Sequence, residues 1–332
     1  MAPSVSFIFN PNTHAQSVWE KLRPHAEKRL AGIKWVAKPT KRAGHARELA
    51  YASIFSDHCT VVVAIGGDGL LHEVVNGYMD AHGKQSGAAI AVIPAGTGND
   101  FVRSFPKPPA VPAPGDILDL ILNDQRATVD IGKYSCTSSA SVRSSTGTSG
   151  YFVNAASVGL GGHTAMMLAQ ARWKKYVPGS IAYLAQAVKT YFVDYRAPLV
   201  RYSFCLKDGG GASPDVTAKL LISVVANGRV FAGNIGIDAA ARLDDGLLSF
   251  VCIKNASLAQ VLAKVVPAAL LSTLSSVPPA LGDIAKNAVS VHMEAVDEDT
   301  VIIIETDGEI AGVLPADFEV VPRCLDIIAL EL

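Results

Sequence analysis

Two regimes of apolar and polar positions divide the chain. Over the first hundred residues, short apolar runs alternate with amphipathic stretches. The runs Ser4–Phe9 (SVSFIF), Ile33–Ala37 (IKWVA), Thr60–Ile65 (TVVVAI) and Ala88–Pro94 (AAIAVIP) predict strands. The stretches His14–Leu30 and Gly44–Phe55 predict helices, as does the segment after Ile65, where Leu70, Leu71, Val74 and Val75 recur at helical spacing. Thr60–Ile65 is apolar almost throughout, which suits a strand covered on both faces. Strand–helix alternation at these lengths predicts a parallel α/β sheet.

A proline-rich connector, Phe105–Gly115 (FPKPPAVPAPG), then changes the pattern. Asp116–Asp124 predicts a short helix and Ala127–Tyr134 a strand. Ser135–Gly150 is rich in Ser, Thr and Gly and predicts a mobile hairpin loop. From there strand-like runs dominate: Tyr151–Gly159, Leu199–Leu206, Thr217–Asn227, Leu247–Ile253, Ala288–Met293 and Val301–Thr306. Helical stretches over Gly162–Tyr195, broken near Pro178, and Ser257–Ser275 interrupt them. The second half therefore predicts a β-rich domain.

Composition narrows the function classes. A chain of 332 residues suits two domains, and 49% hydrophobic content allows a sizeable core. The formal net charge is -1 and no basic tract occurs, so nucleic acid is not an expected partner. The five cysteines form no CxxC pair and read as reduced thiols. The N-terminus lacks the layout of a signal peptide. The most apolar long run, Leu258–Gly282, is interrupted by Lys264, Pro267 and Pro278–Pro279, which argues against a spanning helix. A cytoplasmic protein is expected.

Candidate chemistry sits where strands end. Gly66, Gly67, Asp68 and Gly69 follow the third strand, and ligands of open α/β sheets bind outside such ends. Glycine permits a sharp turn and close approach of a ligand. The following helix points N–H groups at the same place, which favours phosphate. Asp68 beside phosphate calls for a cation between them, and magnesium is the economical choice. The alternative is a tight turn capped by an aspartate. Gly96, Thr97, Gly98 and Asn99 form a second small-residue turn after the next strand, and the two together could cradle one polyphosphate. Asn10 ends the first strand and could reach a nucleotide, though Asn10–Pro11 also reads as an ordinary turn. Neither a GxxxxGK[ST] loop nor a GxGxxG fingerprint after the first strand is present.

GGDGLLHEVVNG followed by IPAGTGNDFVRSF resembles the diacylglycerol kinase catalytic family, which also includes sphingosine and ceramide kinases. The glycine–aspartate turn is shared with NAD kinases and phosphofructokinases. VDIGKY, FVNAASVGLGG, VANGRVFAGNIGIDAAARLDDGLLSFVCI and ETDGE follow in the family's order, so the resemblance spans nearly the whole chain. It implies a doubly wound, mostly parallel α/β nucleotide domain (1–128), a β-sandwich domain (129–312), and final strands (313–332) returning to the first. It places the active site in the cleft between the domains.

The resemblance assigns ATP and its Mg2+ to Asn10, Gly66, Gly67, Asp68, Gly69, Gly96, Thr97 and Asn99. Glu73, one helical turn past the glycines, is added as a candidate for the same pocket; a solvated helix face is its alternative. Residues Asn12–Gln16 depart from the family's small turn after Asn-Pro. In ETDGE, Asp307 would take the proton from the acceptor hydroxyl and Glu309 would assist. Phosphoryl transfer depends on positioning and charge neutralisation, with one carboxylate aligning the nucleophile. The family also implies a structural magnesium loop, with the Asp245 carboxylate and the carbonyls of Arg242 and Leu247 as ligands. Asp130 matches a carboxylate of the catalytic network, with a bond to neighbouring backbone as its alternative, and Arg103 could neutralise a phosphate or equally be a surface arginine.

The expected substrate is a lipid alcohol, diacylglycerol-like or sphingoid, met by peripheral contact with a membrane surface. Two stretches could make that contact: the apolar stripe Leu258, Val261, Leu262, Val265 and Val266, and the segment Met166–Tyr195 with Arg172, Lys174 and Lys175. Packing into the β-rich domain is the alternative for both. A homodimer is left open. Two other functions share these motifs: a kinase of NAD or another small molecule, and a binding regulator without catalysis.

Overall fold

The computed structural model describes residues 3–105, 115–140, 142, 148–171, 173, 179–193, 195–207, 211–232, 235–255, 258–260, 263 and 281–329. The chain divides into two compact units, Met1–Asp130 with Pro322–Leu332, and Ile131–Val321.

The first unit alternates as the apolar pattern predicts: β1 (Ser4–Phe9), α1 (His14–Arg29), β2 (Lys34–Pro39), α2 (His45–Phe55), β3 (Val61–Gly66), α3 (Asp68–Asp80), β4 (Ala89–Pro94), α4 (Asp100–Arg103) and α5 (Asp116–Leu122). The strands lie parallel in the order β4–β3–β1–β2. β2 is the edge, and its side chains are correspondingly half-exposed. Val61 to Ile65 of β3 are fully buried. Each Val or Ile so buried contributes roughly 1.5–3 kcal/mol. On one face, Val5, Phe7, Val63 and Ile93 meet Trp19, Leu22 and Leu30 near α1 and Ile117 and Ile121 of α5. Elsewhere α2 and α3 pack closely: a Cβ at Gly77 would lie 2.2 Å from the Arg47 carbonyl oxygen.

The second unit is built from β5 (Arg126–Thr137), β6 (Ser149–Phe152), β7 (Ala155–Gly159), α6 (Leu160–Gln170), α7 (Gly179–Val193), β8 (Leu199–Leu206), β9 (Val216–Ala226), β10 (Val230–Phe231), β11 (Ile235–Gly236), β12 (Leu248–Lys254), β13 (Gly282–Ala295), β14 (Ile303–Thr306) and β15 (Glu309–Ile328). β5 begins in the first unit and β15 ends there. The antiparallel order is β12–β13–β8–β9–β7–β14–β15. β9 pairs with β8 near its start and with β12 further along; β13 pairs with β12, β8 and β15. These double pairings fold the sheet over an interior holding Phe152, Tyr202, Phe250, Met293, Ile304 and Phe318.

Three expectations need adjustment, and a fourth lies almost wholly outside the described residues. Tyr151–Gly159 is not one strand: β6 stops at Phe152 and β7 starts at Ala155, because the intervening N–H groups turn to a carboxylate described below. The Ser135–Gly150 stretch is partly ladder, with β5 and β6 paired from Gly132–Phe152 to Ser135–Ser149. The last strands are one strand, β15, whose end lies in the first unit with Ile327 pairing with Ile90. Of Ser257–Ser275, only Leu258–Gln260, which is helical, and Ala263 lie within the described residues. Arg172, Lys174 and Lys175 also lie outside them. No helix among the described residues is long and apolar enough to cross a membrane.

Candidate active site

The sheet register places the candidate residues of the first unit. Phe9 pairs with Ile65 and Gly66 with Pro94, so β1, β3 and β4 end side by side. The turns after β3 and β4 touch. A Cβ at Gly96 would lie 2.4 Å from the Gly67 Cα, and one at Gly67 would lie 3.0 Å from the Gly96 Cα. Gly96 has no room for a side chain, and Gly67 has little. The Ala95 N–H donates to the Gly66 carbonyl at 2.8 Å and locks the two turns together. Gly96 and Thr97 face solvent. Asp68 and Gly69 open the first turn of α3, whose free N–H groups and positive dipole end lie beside the turns. Asp68 Oδ1 is 3.5 Å from the Phe101 N–H of α4.

The polar side chains expected at the nucleotide have hydrogen-bond partners within the chain. Asn99 adopts a left-handed conformation (φ 55°) and closes its own turn. Its Oδ1 accepts the Gly96 N–H at 3.2 Å and its Nδ2 donates to the Gly96 carbonyl at 2.9 Å. Asn10 Oδ1 accepts the Asn12 N–H at 2.9 Å, which makes it the turn that the Asn-Pro pair also suggested. Glu73 is corrected more sharply. Its two oxygens accept the Gly44 and Ala46 N–H groups at 2.8 and 2.9 Å. It therefore caps α2, whose N-cap Gly44 has no side chain to do so. Asp130 is fully buried, and its Oδ1 accepts the Arg323 N–H at 2.6 Å, fastening β5 to the end of β15 within the first unit. Arg103 is exposed on α4.

In the second unit the candidate residues centre on a two-residue hairpin turn. Thr306 pairs with Glu309, and Asp307 and Gly308 between them both have positive φ, 50° and 91°. That is the geometry of a type I′ turn, for which Asp-Gly is suited. The Asp307 carboxylate accepts three backbone N–H groups: Val153 at 2.9 Å, Asn154 at 2.9 Å and Ala155 at 3.2 Å. The Asp307 N–H donates to the Ala155 carbonyl at 2.9 Å. These bonds break the β6–β7 strand and fix the carboxylate. Glu309 is half-buried at the start of β15.

Sequence reasoning missed Glu305. It is 2% exposed. Its Oε1 accepts the Ser157 hydroxyl at 2.7 Å and its Oε2 accepts the Gly308 N–H at 2.7 Å. Burial pushes this carboxyl up to about 7; the charges of Asp307 and Glu309 push the same way, and the two hydrogen bonds push back. Nothing in the all-buried run Ile303–Thr306 sets Glu305 apart by periodicity. The available signal was a charged residue inside an apolar strand.

The proposed metal loop is a turn in which Asp245 Oδ1 accepts the Leu247 N–H at 3.0 Å. The Asp245 carbonyl accepts Lys207 Nζ at 2.6 Å, and the Arg242 guanidinium grips Asp244 at 3.0 Å through two bonds. Among the described residues, no group of three or more His, Cys, Asp or Glu side chains converges as a metal site. Any ion here would rely on backbone carbonyls beside the single carboxylate, a hard oxygen set that magnesium accepts.

Both units resemble known proteins. The diacylglycerol kinase catalytic domain matches residues 4–134. The YegS C-terminal NAD kinase beta sandwich-like domain matches residues 155–329. A diacylglycerol kinase of Staphylococcus carnosus is 29% identical over 328 residues, covering 96% of this chain and 92% of its own. One of Staphylococcus aureus is 28% identical over 339 residues, covering 99% and 93%. The crystal structure of a Bacillus anthracis diacylglycerol kinase superposes with a TM-score of 0.61 at 19% identity, covering 99% of this chain and 97% of that one. A second structure from that organism gives 0.69 at the same identity. At that identity the structures speak for the fold alone. The glycine turns, the Asp-Gly hairpin and the folded sheet thus stand in a chain that belongs to the diacylglycerol kinase family, and the protein is a lipid kinase.

Proposed function

We propose that the chain transfers the γ-phosphoryl group of ATP to the hydroxyl of a diacylglycerol-like or sphingoid lipid presented at a membrane surface. The observation that carries this reading is the back-to-back contact of Gly67 and Gly96 at the mouth of α3. A cradle with no Cβ atoms lets backbone N–H groups approach phosphate oxygens closely. In this reading the first unit binds the triphosphate. Asn99 acts by shaping the turn, and Thr97, exposed at its rim, contacts phosphate. Asp307 in the second unit orients the acceptor hydroxyl and receives its proton. A carboxylate held by backbone bonds fits a reaction that depends on placement more than on mobile chemistry.

Magnesium fits the donors available. Asp68 would hold the ion that accompanies the nucleotide, and that ion would neutralise phosphate charge. Asp245, with the carbonyls of Arg242 and Leu247, would hold a structural ion. Asp245→Ala should lower the melting temperature in magnesium by a few degrees, about 1 kcal/mol at this size. Equal melting curves with and without chelator would remove the structural ion from the account.

The defining assay offers labelled ATP and magnesium against diacylglycerol, sphingosine, ceramide and NAD. Label in a lipid alcohol is the expected result. Label in NAD alone would replace the proposal with small-molecule phosphorylation, and ATP binding without transfer to any acceptor would leave a regulator.

A further inference from the structure

The Asp307–Gly308 turn is gripped from two sides. On one side the Asp307 carboxylate takes the N–H groups of Val153, Asn154 and Ala155. On the other, Glu305 reaches along β7 to Ser157 and back to the Gly308 N–H, both at 2.7 Å. Only the first grip is accounted for by the reaction. The second uses a buried carboxyl, which is costly to place in an interior without a purpose or full hydrogen bonding.

The surroundings are made to fit it. The β14–β15 pairing slips between Ile304 and Glu305, so the strand does not simply alternate there. A Cβ at Gly161 of α6 would lie 2.1 Å from the Ser157 hydroxyl oxygen, and one at Gly162 would lie 2.2 Å from the Ile303 carbonyl oxygen. The paired glycines let α6 settle over Ser157 and β14. From α7, Tyr183 approaches the same hydroxyl; burial holds its phenol well above the usual tyrosine range, so it stays neutral. His163, the titratable group of α6, turns instead toward Tyr195, with ring centroids 6.3 Å apart. The charged neighbours of Glu305 are therefore Asp307 and Glu309.

We infer that Glu305 is a positioning residue for phosphoryl transfer: its carboxyl group bridges the Ser157 hydroxyl and the Gly308 N–H and so fixes the turn that carries Asp307. The inference rests on the lipid kinase reading and adds a regulating group to it. Ionised, Glu305 can accept both bonds. Protonated, one oxygen becomes a donor, and the bridge must rearrange. With the carboxyl raised to about 7, that change falls within the physiological range. Turnover rises as the pH climbs through that value and the double acceptor forms.

The test compares wild type, Glu305→Gln and Ser157→Ala in diacylglycerol–detergent micelles with ATP and magnesium from pH 5.5 to 9. Wild type should show an ascending limb near neutrality. Glu305→Gln should turn over about tenfold more slowly, with KM for ATP within about twofold, because misplacing a reacting group acts on kcat. Its limb near neutrality should be gone. Ser157→Ala keeps the carboxyl, so it should lose turnover while keeping a limb; it also carries the test if the Gln variant does not fold. A Gln variant with wild-type kcat, or with the limb unmoved, overturns the role of Glu305 and leaves the kinase reading standing. A wild type that phosphorylates no lipid overturns both.

Discussion

The glycine turns of the first unit and the Asp-Gly turn of the second solve opposite problems. At Gly67 and Gly96 the chain excludes side chains, and backbone meets backbone. At Asp307 and Gly308 side chains specify nearly everything: one carboxylate takes three N–H groups and a second, buried carboxyl takes a fourth. The first arrangement suits a phosphate, which needs many N–H groups and no obstruction. The second suits a proton acceptor, which needs one oxygen in one place. The two turns should therefore fail differently when changed.

The largest effect belongs to Asp307→Asn. The amide nitrogen would oppose backbone donors that now meet an acceptor, and the proton acceptor would be lost. Turnover should fall by about 10³-fold, within the range of general-base removal, with ATP affinity retained. Steady-state kinetics with nucleotide titration checks this; near-normal turnover would remove Asp307 from the mechanism.

Next comes the pH dependence of folding at Glu305. Its folded carboxyl lies near 7, against an ordinary value of 4.5. Between those values the folded chain holds a proton that the unfolded chain has released, so stability falls as the pH rises through this window. The swing attributable to this group is about 3 kcal/mol. Urea unfolding of wild type and Glu305→Gln at pH 4.5 and 8 should show the gap between them shifting toward the variant as pH rises. A constant gap would mean that the carboxyl is not buried in solution.

A smaller effect is expected at the glycine turns. Gly96→Ala places a Cβ against Gly67. ATP affinity should fall about tenfold, which is about 1.4 kcal/mol, with the pH profile of turnover unchanged. An altered profile with intact ATP affinity would reverse the division of labour between the turns. The smallest effect is that of Glu73→Ala, which uncaps α2. It should cost about 1 kcal/mol of stability and leave ATP affinity unchanged. A large loss of ATP affinity with normal stability would return Glu73 to the pocket.

The same contrast explains what the sequence made legible. Glycine turns announce themselves locally: small residues after an apolar run say that backbone must come close to something. The alternation of the first unit and the pairing of its two turns were readable on that basis. Carboxylates with distant backbone partners are not. Glu73 meets Gly44, and Asp130 meets Arg323, through N–H groups that every residue possesses. No residue type marks such a partner, and the sequence separation hides it. Asn99 closes its own turn through Gly96, a bond that the residue type alone does not announce. Glu305 was masked by its neighbours, since a fully buried strand leaves no alternating pattern to break.

The Glu73 cap has a further consequence for α3. The helix is held at its start by interlocked glycine bends, and one turn later its own side chain is stapled to the head of α2. Gly77 brings the same two helices to near backbone contact one turn further on. Three successive contacts thus tie the helix to its neighbours. The order of this helix start is therefore laid down when the chain folds.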